Sequence, residues 1–161
     1  MTNYSHKIQA VVNTPGFSIV NSLGIIRDAD TNFASTFQSV QSALINSSLP
    51  VPNQPLIPII SQRSVNRVDV FIMPNNQDPG CLEDLLLQSV LQNQEIICVS
   101  DFFTCLDSYQ ITPRQISKAK VQTFLSAQRE CGISLGVAAM RGYWPFNNQS
   151  FSNLQLFLQN L

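Results

Sequence analysis

The sequence predicts an α/β fold: a small, mainly parallel sheet flanked by helices, followed by a helical C-terminal part. Three observations predict it. Leu23–Arg27 and Arg67–Met73 are compact apolar runs, of the length of strands buried in a parallel sheet. Each is followed by a loop and then by apolar residues at helical spacing. The order strand, helix, edge segment, strand, helix is that of parallel strands joined by crossovers. No repeat, linker or second composition is visible, so residues 1–161 read as one domain of ordinary size.

The elements follow in order. Ile8, Ala10 and Val12 alternate like a strand, and Thr14-Pro15-Gly16 reads as a turn. Phe17, Ile19 and Val20 lead through a short helix into Leu23–Arg27. Phe33, Phe37, Val40 and Leu44 fall on one helical face, with Thr31 or Asp30 as the cap. Asn46–Pro58 holds several prolines and reads as irregular or edge structure, with Leu56–Ile60 as a short edge strand. Arg67–Met73 is the second strong strand and Met73–Gly80 the loop after it. Cys81–Leu91 is a helix with Leu82, Leu85, Leu86 and Val90 as its buried stripe. Glu95–Tyr109 is ambiguous: EIICV has strand composition, but Ile96, Val99, Phe103 and Leu106 also fit a helical face, and helix is the reading preferred. Thr112-Pro113 offers a cap and a first-turn proline. The helix it opens carries Ile116, Val121, Phe124 and Leu125, and Cys131-Gly132 ends it. Leu135–Met140 reads as strand or turn, and Phe151, Leu154, Leu158 and Leu161 as a last amphipathic helix.

Composition narrows the function classes. Charged residues make up 12% of the chain, against about 25% in an average protein, and the net charge is -1. No long-range field draws in nucleic acid, so phosphate recognition has to be local or metal-mediated. Cys81, Cys98, Cys105 and Cys131 include no C-x-x-C pair, and His6 is the single histidine, which argues against structural zinc. Cys98 and Cys105, seven residues apart, read as buried core thiols, and His6 as a solvated side chain. MTNYSHKIQ lacks the apolar core of a signal peptide, and no stretch approaches the roughly 18 apolar residues of a membrane span. A cytoplasmic protein with reduced thiols is the expectation.

The candidate site lies at the strands' carboxyl ends, where open α/β sheets place ligands. Asp28 and Asp30 follow the first strand. In extended chain they point to the same side and repel unless a cation or proton lies between them. Mg²⁺ is held through one or two carboxylates plus waters and phosphates. Glu83 and Asp84, in the first turn of the following helix, suit the helix dipole, and Glu83 could add a third oxygen ligand. Lys118 and Lys120 are the best basic candidates for phosphate. At i and i+2 they do not share a helix face, so at most one enters a site. Arg27 could pair with a neighbouring acid. Tyr143, Trp144 and Phe146 read as core or lid rather than a base-stacking platform.

These motifs also carry a resemblance. GIIRDAD, followed by a helix, resembles the acidic D-x-D motif of TOPRIM domains, which occur in topoisomerases, primases, recombination proteins and OLD-type nucleases. VFIMPNNQDPGCLEDLLL is similar to the signature of a small prokaryotic TOPRIM-like family of unknown function, distantly related to the OLD-type nucleases. KAKVQTFL and LGVAAMRGYWPF resemble that family's C-terminal half, so the likeness covers about Leu23 to Leu161. It implies a TOPRIM-like fold, with Asp28, Asp30 and Glu83, and then Asp84, as ligands of Mg²⁺ or Mn²⁺. The departure is at the start. TOPRIM domains open with a strand ending in Glu-Gly, and the first 27 residues here contain neither Glu nor Asp. The chain therefore reads as a shortened or degenerate TOPRIM-like domain: a non-catalytic binding module with a residual acidic metal site. The alternative is a Mg²⁺- or Mn²⁺-dependent nuclease or phosphotransfer enzyme acting on phosphodiesters. Nucleic acid, a nucleotide, a partner protein or a second copy are the partners these readings imply, and a membrane is not among them.

Overall fold

RVDVFIM carries β-branched and aromatic side chains on both faces of its pleat, a composition suited to the middle of a sheet. The computed structural model, which describes residues 4–60 and 67–161, puts it there. In chain order the elements are α1 (Tyr4–Val12), a 3-10 turn (Phe17–Ile19), β1 (Ser22–Asp28), α2 (Phe33–Asn46), β2 (Ile59–Ile60), β3 (Arg67–Met73), α3 (Leu82–Ser89), α4 (Gln94–Ser108), α5 (Ile116–Ser126), α6 (Leu135–Met140), a second 3-10 turn (Gln149–Phe151) and α7 (Ser152–Gln159). Among the described residues this is a mixed α/β architecture. β1 lies parallel to β3 and β2 antiparallel to it, in the order β1-β3-β2. The fold divides into two compact units, Met1–Cys81 with Ser152–Leu161, and Leu82–Phe151. No described helix is long and apolar enough to cross a membrane.

In the first unit, Ile25, Val68, Val70 and Ile72 form one apolar core with Phe37, Val40, Ala43 and Leu44 of α2 and Ile8 of α1. Phe71 points to the opposite sheet face and meets Phe157 of α7, ring centroids 5.7 Å apart. The expected strand through Ile8, Ala10 and Val12 is instead α1, packed on α2. Three alternating residues are too few to separate the two periods. Ile8 is buried while Ala10 is exposed. The α2 cap is neither Thr31 nor Asp30 but Asn32, whose side chain accepts from the Ser35 N–H at 2.9 Å. At its other end Ser48 turns left-handed (φ 54°). The Leu49 N–H then reaches the Leu44 carbonyl and the Ser48 N–H that of Ile45, a Schellman closure. α7 does not follow the expected stripe: Phe157 is buried, and Leu158 and Leu161 are exposed.

In the second unit α5 packs against both α3 and α4. Leu85, Leu86, Val90, Ile96, Val99, Phe103, Val121, Phe124 and Leu125 are buried, much as their spacing predicts. α5 begins at Ile116 rather than at Thr112-Pro113, and it ends at Ser126 rather than at Cys131-Gly132. Leu135–Met140 is helix α6, not strand or turn; the Ser134 hydroxyl caps it by accepting from the Val137 N–H at 3.3 Å. Trp144 is buried and stacked on Phe124, with centroids 5.3 Å apart. Phe146 is exposed and leans on Phe151. The expected burial of Cys98 and Cys105 is corrected: both are exposed, as is Cys131, and Cys81 is half-buried. On α4, Ile96, Val99 and Phe103 take the inward face, which turns Cys98 and Cys105 outward.

Candidate functional site

The rim of the sheet is built where β1 and β3 end side by side. Their pairing runs in unbroken register from Ser22–Arg67 to Asp28–Met73. It continues one step further, the Ala29 N–H donating to the Met73 carbonyl at 3.1 Å. Ala29 is buried, fixing the chain between the two acids, and its carbonyl accepts from the Thr36 hydroxyl of α2. Asp30 then adopts a left-handed conformation (φ 52°). Its N–H and carbonyl exchange bonds of 2.9 and 2.8 Å with the carbonyl and N–H of Gly80. The loops after the two strands are thereby latched by an isolated antiparallel bridge.

This geometry alters the argument that aligned the acids. Alternation along a strand applies only while the chain is extended. β1 stops at Asp28, and Asp30 has turned left-handed. Asp28 is half-buried and Asp30 exposed, and it is the Gly80 bridge, not the pleat, that fixes where Asp30 sits. The loop that supplies Gly80 uses its own polar side chains. The Asn75 carboxamide oxygen accepts from the Gln77 and Asp78 N–H groups, and its NH₂ donates to the Asp78 carboxylate at 2.7 Å. Asn76 accepts from the Ile72 N–H at 2.6 Å. The Pro-Asn-Asn segment is thus a self-bonded turn.

The remaining candidates belong to the second unit. Glu83 and Asp84 are half-buried in the first turn of α3. Asp84 accepts a short bond, 2.6 Å, from the Ser117 hydroxyl of α5, which ties the two helices. Lys118 is exposed on α5. Lys120 places its ammonium 5.9 Å from the centroid of the Phe103 ring, a cation–π position. Among the described residues no three His, Cys, Asp or Glu side chains are grouped to hold a metal ion. His6 is solvated. Arg27 donates to the Ser39 hydroxyl at 3.0 Å and lies 4.7 Å from the centroid of the Tyr4 ring. Burial pushes the Tyr4 phenol up, against the opposing pull of Arg27.

One group escaped the sequence reading. Asp69 sits in the middle of β3 with no exposed surface. One carboxylate oxygen accepts from the Val70 N–H at 2.7 Å, and the other is buried with no hydrogen-bond partner among the described residues. Burial raises its pKa, opposed by the Val70 amide, the Arg67 guanidinium and the Leu56 amide. The signal was a single acid inside an otherwise apolar strand.

A family model described as a protein of unknown function, DUF3226, matches residues 2–161. No curated protein matches the chain, and no solved structure does.

Proposed function

Since the chain belongs to the DUF3226 family of unknown function, we propose its role from the rim alone: a TOPRIM-like binding module that takes a divalent cation, Mg²⁺ or Mn²⁺, at Asp28 and Asp30 without phosphodiester chemistry. The observation that carries this reading is the latched loop, which keeps two carboxylate-bearing residues, one residue apart, at the carboxyl end of β1. Hard oxygen donors in that number suit a cation that keeps most of its waters. The donor set falls short of catalysis by two metals, which needs ligands for both ions. The described residues hold no group of three ligands, and Asp84 is engaged by Ser117.

Calorimetric titration of Mg²⁺ and Mn²⁺ into the full chain and into Asp28→Asn/Asp30→Asn tests the reading. Heat of binding to the natural chain, lost in the double variant, is the expected result. Identical traces remove the site. Metal-dependent cleavage of single- or double-stranded DNA or RNA, abolished in the double variant, would replace the binding module with a nuclease.

A further inference from the structure

The outer edge of β1 is an open pairing surface. The Arg67 N–H donates to the Asn21 carbonyl and the Ala29 N–H to the Met73 carbonyl. In a parallel ladder this phase turns the backbone groups of residues 23, 25 and 27 towards β3. The N–H and C=O groups of Ser22, Gly24 and Ile26 therefore face outwards. Among the described residues β1 pairs with β3 alone. Its unbroken register shows no bulge, and Ser22–Ile26 contains no proline, lysine or other charge, the devices that usually blunt an edge. Gly24 is exposed and Ile26 is 46% exposed. A recess of ≈ 260 Å³ runs beside the edge, lined by Tyr4, Lys7, Ile8 and Val11 of α1 and by Leu23–Ile26, with Lys7 its one charged residue.

We propose that this edge pairs with β1 of a second copy, antiparallel, about a two-fold axis at Ile25. The sequence of the strand selects that occupant. An axis there sets Gly24 against Ile26 of the second copy and Ser22 against its Asp28, so outward-facing backbone groups meet outward-facing ones and can exchange both hydrogen bonds. A large side chain then lies beside a residue that has none. Over Gly24 it meets Leu161, which already fills the space a Gly24 side chain would take and is itself 41% exposed. At each end of the pairing a hydroxyl donor faces a carboxylate. Net charge of -1 per chain gives little repulsion between copies. The two three-stranded sheets become one of six, through an interface in which the same patch serves on both sides. The pairing does not rest on the cation reading, but it shares Asp28 with it and is therefore tested without metal.

Sedimentation equilibrium of the full chain over a roughly hundredfold concentration range, beside Ile26→Lys and Ile19→Lys, decides it. Ile19 lies in the turn before β1 and is 82% exposed. The expected result is twice the chain mass for the natural protein and for Ile19→Lys, and a single mass for Ile26→Lys. Amide hydrogen exchange of Gly24 and Ile26 in the natural chain gives a second reading that needs no variant: it slows as concentration rises. A monomer throughout, a dimer that survives Ile26→Lys, or amides whose exchange ignores concentration would each overturn the pairing.

Discussion

Asp69 is the residue whose chemistry is furthest from its surroundings. A free Asp titrates near 3.9, and burial raises the folded value above that. The sign follows. A group with a raised folded pKa binds its proton more tightly in the native state, so its contribution to stability is full below the unfolded pKa. That contribution is lost as pH rises through the folded pKa. Asp69→Asn keeps the shape and removes the charge. The variant is expected to melt higher than the natural chain at pH 7, with the gap narrowing towards pH 4, as followed by circular dichroism. A constant penalty at both pH values would mean that the ionised carboxylate is satisfied and the buried oxygen has a partner after all. The position was visible in RVDVFIM, but the strand's apolar period absorbed it. A lone acid in such a run reads as a solvent-facing residue unless both faces of the strand are known to be covered.

At the scale of elements, α2 and α4 end alike. Ser48 and Gln110 take left-handed conformations, φ 54° and 59°. The Leu49 and Ile111 N–H groups close back on Leu44 and Leu106. Glycine is the residue that adopts this conformation without steric cost. Ser48→Gly and Gln110→Gly are each expected to raise stability by about 0.5–1 kcal/mol, net of the freedom glycine adds to the unfolded chain. A urea midpoint shifted upwards with unchanged slope is the readout. α6 reaches the same closure with Gly142 (φ 75°) and the Tyr143 N–H on Ala138, and serves as the internal reference. Elements carried by long apolar patterns were legible from the chain: both major strands, α2, α3 and α4 stand within one or two residues of their expected ends. Those resting on three to six residues were not. α1 alternates like a strand because Ile8, Ala10 and Val12 fit either period, and α6 is too short for its period to show. α5 is shorter than its flanking signals imply, because Pro113 and Gly132 are genuine local breakers that lie outside the helix.

Over the whole molecule, the sequence located the rim and misjudged how it is held. The D-x-D pair does straddle the end of β1, with Asp28 its last residue, and the loop after β3 does lie beside it. Strand alternation does not reach Asp30, because that residue leaves the extended conformation to bond Gly80. No pattern in the chain foretells that bridge, which depends on where two distant loops end. Nor does composition betray the two compact units: the chain passes from one to the other between Cys81 and Leu82, inside a continuous P-G-C-L-E-D run with no linker signature. The central claim, a cation seated at the first unit's rim, is open to a measurement that reads location directly. Mn²⁺ broadens the amide signals of nearby nuclei, so substoichiometric Mn²⁺ added to the ¹⁵N-labelled chain maps the site. The account predicts selective loss of the Asp28–Thr31 and Gly80 signals, restored by excess Mg²⁺ and absent in Asp28→Asn/Asp30→Asn. Broadening centred elsewhere, or the same pattern in the double variant, would contradict it.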